Sequence, residues 1–247
     1  MDTTHNSTPS FPQLVEAAEQ GDAGAQYALG WKYATGDDDV PKDDSTAAAW
    51  YRKAAEQGHA EAQYCLAVMY DTGEGVPLDA TAALGWYRRA AEQGSMGAQF
   101  NLGVAFASGA GVPQDHVKAA QWFRQSAEQG YMKAQYVLGA VYSAGQGVPQ
   151  DYAESARWFL LSAMQGYADA QYRMVWMHLN GYGVPVDYMQ AFFWWKSASI
   201  RGSGSWLMYP VLIWFAPIMI GIVWILRAAR VVRDARNRRM ANQGQGQ

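Results

Sequence analysis

The chain has 247 residues, half of them hydrophobic and 17% charged, with a net charge of −3. That balance is too apolar for a disordered polypeptide, and the length allows one or two globular domains or one elongated array. The charge is uneven: from Arg227 onward there are six Arg and one Asp, which leaves 13 basic against 21 acidic residues for the rest, an acidic body that argues against a nucleic-acid partner.

Residues 1–10 are polar and are expected to be disordered. With no basic n-region and no apolar h-region, they do not read as a signal peptide. The segment LVEAAEQG (14–21) has the pattern of a helix end, with Gln13 where later copies carry tryptophan. A polar residue there suits a helix that caps an array and faces water.

A repeat then takes over. Prolines at 41, 77, 113, 149 and 185 are 36 residues apart, and the last four end the pentads GEGVP, GAGVP, GQGVP and GYGVP. Nine residues after each stands a tryptophan (Trp50, Trp86, Trp122, Trp158, Trp194), and eight after that a glycine (Gly58, Gly94, Gly130, Gly166, Gly202). Alanine–glutamine–aromatic triplets recur at 25–27, 62–64, 98–100, 134–136 and 170–172. The landmarks divide the chain into five repeats of about 22–57, 58–93, 94–129, 130–165 and 166–202, each predicted to be two helices. In the second, Ala62, Leu66 and Tyr70 share one face of helix A. Gly73 and Gly75 stop it, Pro77 prevents its continuation, and Asp79 is placed to cap helix B over about 80–93. Small Ala83 and Ala90 flank Trp86, whose indole is expected to fill the gap beside a neighbouring helix. No repeat can bury its apolar face alone, so the expected fold is an all-α solenoid over 11–202.

The landmarks AQYxLGxxY, GxGVPxD and AxxWYRKAAEQG resemble the Sel-one-like repeat, a relative of the tetratricopeptide repeat. The resemblance covers about residues 11–202. It implies a right-handed α-solenoid whose members usually act as scaffolds or adaptors, and it carries no catalytic residues. The first repeat departs at TGDDDVP, which has one extra residue and lacks the second glycine. The fifth departs at Met174, Val175 and His178.

Little in the chain points to chemistry. His5, His59, His116 and His178 fall at different phases, so no metal-binding HxxxH pair forms. Cys65, the single cysteine, sits in a column with Ala28, Asn101, Val137 and Arg173 and reads as a tolerated small residue. The run GDDDVPKDD lacks the glycine and distal glutamate of a calcium loop; a solvated loop that caps helix B fits better. The GxG pairs follow helices, not strands, so they are turn glycines. No cofactor is implied. Positions that differ between repeats are free to encode a partner. One such column is Trp31, Val68, Val104, Ala140 and Trp176; the Ala28–Arg173 column is another. Trp31, Asn101, Arg173 and Trp176 are therefore the candidate partner-binding residues, against the competing expectation that both tryptophans pack on terminal caps.

After the GSGS joint, Trp206–Leu226 is 21 residues without a charge, about 31 Å as a helix and so long enough for a hydrocarbon core of roughly 30 Å. Trp206, Tyr209, Trp214 and Trp224 are interface-preferring aromatics, and Arg227 and Arg230 open the basic tail of 227–247. The expectation is a membrane-inserted segment over 203–226, a single-pass C-terminal anchor in a bacterial inner membrane. The arginines favour a cytoplasmic tail, while the lack of an export signal leans the repeat domain to the cytoplasm; both hold only if the Pro210- and Pro217-broken segment enters and returns. Three functions stay open: a membrane-anchored adaptor for a protein or peptide partner, a cell-envelope enzyme or subunit with a site near Arg173 and His178, and a structural component that forms homo-oligomers through the tail.

Overall fold

The computed structural model describes residues 10–36 and 40–200. Among these the chain forms eleven helices and no strand. A short α1 (Phe11–Glu19) precedes α2 (Ala23–Thr35) and α3 (Asp44–Glu56), then α4 (Ala60–Thr72), α5 (Ala80–Glu92), α6 (Met96–Ser108), α7 (His116–Glu128) and α8 (Met132–Ala144). The series continues with α9 (Tyr152–Met164), α10 (Ala168–Asn180) and α11 (Tyr188–Ile200). Even-numbered helices are the A helices of the repeats, and odd-numbered ones from α3 are the B helices. The fold is an α/α solenoid with a period of about 36 residues.

Two compact units divide the chain, one ending at Gln150 and one beginning at Asp151. In the first, each B helix packs on its own A helix and on the A helix that follows. In the second, α10 packs against both α9 and α11.

The second repeat shows why the sequence folds this way. Ala62 and Leu66 are fully buried on α4, and burying a leucine of that kind contributes roughly 1.5–3 kcal/mol. The helix ends at Gly73, whose φ of +76° is left-handed and suits a residue without Cβ. Gly75 is needed for a different reason. A Cβ there would fall 2.1 Å from the carbonyl oxygen of Asp44, so the turn presses against the start of the preceding B helix. Asp79 then accepts hydrogen bonds from the backbone N–H groups of Thr81 and Ala82, both at 3.0 Å, the capping role its place in the sequence predicts. Asp43 caps α3 in the same way, through Ser45 and Thr46.

The glutamine of each alanine–glutamine–aromatic triplet is buried. Gln63 donates through Nε2 to the carbonyl of Ala55, eight residues back on α3. Its own Oε1 accepts from Gln93 Nε2 at 2.7 Å. Gln26 and Gln99 repeat both bonds, with Ala18 and Gln57 for the first and Ala91 and Gln129 for the second. A polar ladder therefore runs through the apolar stack of the first unit, each amide pairing with the helix before and the helix after. In the second unit Gln171 donates to Ala163, while its Oε1 is buried without a partner among the described residues.

In the first unit the tryptophans pack against the core as expected, but they share the gap beside helix A with a second ring. Trp50, Trp86 and Trp122 are only half-buried there, and Trp50 and Trp86 lie under the cations of Lys53 and Arg89. The buried ring belongs to the next residue: Tyr51, Tyr87 and Phe123. These rings rest on small residues of helix A. A Cβ on Gly30 would meet Tyr51 at 2.7 Å, and one on Gly103 would meet Phe123 at 2.7 Å. In the second unit Trp158 and Trp194 are themselves buried. Gln13, in the tryptophan register, accepts from the N–H of Ser10 at 2.9 Å and closes the start of α1, while Leu14 and Ala18 bury against Leu29.

No helix among the described residues is long and apolar enough to cross a membrane. The expected membrane segment at 203–226, the basic tail at 227–247 and residues 1–9 of the polar N-terminus lie outside those residues.

Candidate partner-binding face

Six positions past each triplet's alanine, helix A points outward. Trp31 and Trp176 are each 54% exposed and Val104 is 43% exposed. More than half of each residue is exposed, so neither tryptophan is covered by a cap among the described residues. Three positions past the alanine, Cys65 and Asn101 point instead toward a tyrosine of the preceding B helix. Arg173 is exposed on α10. Trp31 and Asn101 belong to the first compact unit, Arg173 and Trp176 to the second.

Asn101 is the candidate with a defined setting. The Tyr87 hydroxyl hydrogen-bonds with the Asn101 side chain and donates to Asp71 Oδ2 at 3.4 Å. Burial, and then the Asp71 carboxylate, raises the Tyr87 phenol well above its ordinary range. Cys65 stands at the same place one repeat earlier and hydrogen-bonds with Tyr51; burial pushes its thiol up to about 11. The next repeat has Phe123, with no hydroxyl, and Val137. In these three repeats the column follows the chemistry of the ring fourteen residues before it.

Two hollows open beside Val104. The smaller, about 120 Å³, is lined from α4, α5 and α6 by Asp71, Tyr87, Asn101, Val104 and Ser108 among others. The larger, about 420 Å³, is lined from α6, α7 and α8 and includes Val104, Ser108, His116, Phe123, Val137 and Ala140. Val104 and Ser108 form the ridge between them. Reading the sequence alone missed Asp71 and Ser108. The signal was available: Asp71 shares a column with Ala34, Ala107, Ser143 and Leu179, so it is the one charge where the other repeats are uncharged.

His59 caps α4 by accepting from Ala62 N–H at 3.2 Å and stacks on Tyr27. His178 has a buried Nδ1 with no hydrogen-bond partner among the described residues. It lies five residues from Arg173, about 140° around the helix, so the two do not converge. No cluster of His, Cys, Asp or Glu able to hold a metal ion occurs among the described residues.

The Sel1 repeat matches five consecutive stretches, 23–59, 60–95, 97–131, 133–167 and 168–203. The chain belongs to the Sel1 repeat family. Solved structures agree with the assignment. A Sel1 repeat protein from Oxalobacter formigenes is 32% identical over 77% of this chain and 76% of its own, with a TM-score of 0.72. A protective antigen with an SLR fold, present in uropathogenic Escherichia coli, is 39% identical over 78% of this chain, with a TM-score of 0.73. This Sel1 repeat protein spans 41% of that antigen. An immunity protein of Pseudomonas aeruginosa, 24% identical over 80% of this chain and 76% of its own, has a TM-score of 0.53 and shares the fold. No curated protein matches. Sel1 repeats typically mediate protein–protein contact, so the chain is a repeat solenoid of the protein-interaction type.

Proposed function

We propose that this Sel1 repeat protein is a membrane-anchored scaffold that holds a protein or peptide partner on the exposed face of its A helices. The observation that carries the reading is the pair of hollows flanking Val104. Residues that build the fold recur in every repeat, whereas these hollows add to them side chains that change from repeat to repeat, Asp71, Asn101, Val104 and Ser108 among them. Their mixture of apolar wall and few convergent polar groups is the composition of a recognition site. Trp31 and Trp176 are large exposed anchors of the kind that dominate interfaces.

The anchor is Trp206–Leu226, by its length and lack of charge. Trp206, Tyr209, Trp214 and Trp224 suit the interface, and Arg227 and Arg230 begin a tail that favours the cytoplasmic side of a bacterial inner membrane. Fractionation tests this directly. The full chain should stay with membranes until detergent is added, and a chain lacking 203–247 should be soluble. A full chain that remains soluble without detergent contradicts the anchor. Any partner that copurifies in detergent should be lost on Val104→Glu with folding intact.

A further inference from the structure

The solvent side of the B helices changes character toward the end of the array. On α3 the outward columns of the last two turns carry Arg52, Lys53 and Glu56, all exposed. On α5 they carry Arg88, Arg89 and Glu92, and on α7 Arg124, Gln125 and Glu128, again exposed. On α9 the same columns hold Leu160, Leu161 and Met164, and they are still exposed, Met164 at 71%. A second pair of outward columns holds Ser45 and Ala49, Thr81 and Gly85, Val117 and Gln121, then Ala153 and Arg157 on α9, all exposed. On α11 that pair is Met189 and Phe193, with Phe193 55% exposed. These columns face outward on the earlier B helices as well, so their exposure in the second compact unit is not a surface awaiting one more repeat. Replacing charge by large apolar groups at solvent positions marks an interaction surface.

We infer that this face of the second unit lies on the surface of a lipid bilayer. The inference rests on the anchor proposed above and extends it from the tail to the folded domain. Three observations favour a bilayer as the occupant. Helix α11 ends at Ile200, and only residues 201–205 separate it from Trp206; five residues reach roughly 20 Å when extended, which keeps the face close to whatever takes up the apolar run. Helix α11 has no acidic residue, and its one cation, Lys196, is exposed on the same side as Met189. An aliphatic stem on apolar surface with its ammonium at anionic headgroups is the expected setting of such a lysine. In the columns of Leu160, Leu161 and Met164 the earlier B helices keep mostly Arg, Lys and Glu, as surfaces in water do.

The test uses the full chain with Cys65→Ala, to leave one thiol, and an environment-sensitive fluorophore on Met164→Cys or Phe193→Cys. Controls carry the label on Glu92→Cys or Gln121→Cys, the same columns two repeats earlier. The protein is reconstituted in phosphatidylethanolamine–phosphatidylglycerol vesicles with a nitroxide quencher on the lipid chains. Labels at 164 and 193 should lose about half their emission, as groups roughly 5–10 Å into the headgroup boundary do, and resist aqueous iodide. Labels at 92 and 121 should show the reverse. If the chain floats with the vesicles but all four labels respond alike to iodide, the anchor stands and the surface contact is overturned. Labels at 164 and 193 shielded from both quenchers would mean that a second copy or the chain's own apolar run covers the face, which also overturns it. A chain that does not float with the vesicles overturns both the contact and the anchor.

Discussion

Gln93 donates its side-chain amide to Oε1 of Gln63 at 2.7 Å, from the end of helix B to helix A of the same repeat. Gln63 in turn donates to the Ala55 carbonyl on the preceding helix. One buried amide thus ties three successive helices. Gln63→Ala strands both partners and should cost about 1–3 kcal/mol. Gln93→Ala removes one bond and should cost less. The double variant should fall short of the sum by at least about 0.5 kcal/mol. Urea unfolding of the four proteins measures this; strict additivity would mean the ladder is not coupled.

Gly103→Ala tests the close approach of α6 and α7. The new methyl would meet the Phe123 ring at 2.7 Å, and overpacking of that kind costs about 1–3 kcal/mol. Adding Phe123→Leu should recover part of the loss. Gly85→Ala is the comparison, because a Cβ there meets nothing within 4 Å and mid-helix alanine is favoured over glycine by roughly 0.5–1 kcal/mol. Thermal unfolding should move in opposite directions for the two alanine variants.

Cys65 should be slow to react. Burial pushes its thiol up to about 11, so little thiolate exists at neutral pH. Alkylation of the native protein at pH 7.5 should be far slower than in urea. The linkage has a definite sign: the folded thiol holds its proton where the unfolded one, near 8.5, has lost it. This contribution is fully present below about 8.5 and is lost as pH rises toward 11. The difference in stability between the native chain and Cys65→Ala should narrow over that alkaline window; a constant difference would contradict it.

At the acid end, hydrogen bonds from the Thr46 and Ser45 side chains hold the Asp43 carboxyl down to about 2. Its folded value lies below its unfolded one, so the cap's contribution is present above about 4 and is lost as pH falls toward 2. The stability gap between the native chain and Asp43→Ala should be flat from pH 5 to 7 and close below 4. A gap that persists unchanged to pH 2 would rule out the carboxylate as the capping group.

Much of this fold is legible in one sequence because a repeat prints its constraints five times. The helix ends at Gly73, the cap at Asp79 and the buried face of Ala62 and Leu66 follow from local rules. The ladder does not. Gln63 is an obvious landmark, but its partners are eight residues back and thirty residues on, and nothing local says that an amide there is buried. The tryptophans told only part of the packing for a related reason. Recurrence marks Trp86 as structural without saying which neighbour it faces, while the fully buried ring is Tyr87, set against small residues on helix A. The setting of Asn101 was partly readable, since Cys65 and Asn101 each stand fourteen residues after a tyrosine and Val137 fourteen after a phenylalanine. Whether a side chain varies to suit a partner or to suit its own fold is a question of what it touches, and only the packed chain shows that.

The central claim is that the exposed face of the A helices receives a protein partner at the membrane. A photocrosslinking residue at Val104, in the full chain in native membranes, tests it most directly, with the outward B-helix position Gln121 as control. A discrete protein adduct at Val104 that is absent at Gln121, and that disappears when Ala140→Glu is added beside it, is the predicted result. Adducts equal at both positions, or none at Val104 while the chain is folded and membrane-bound, would contradict it.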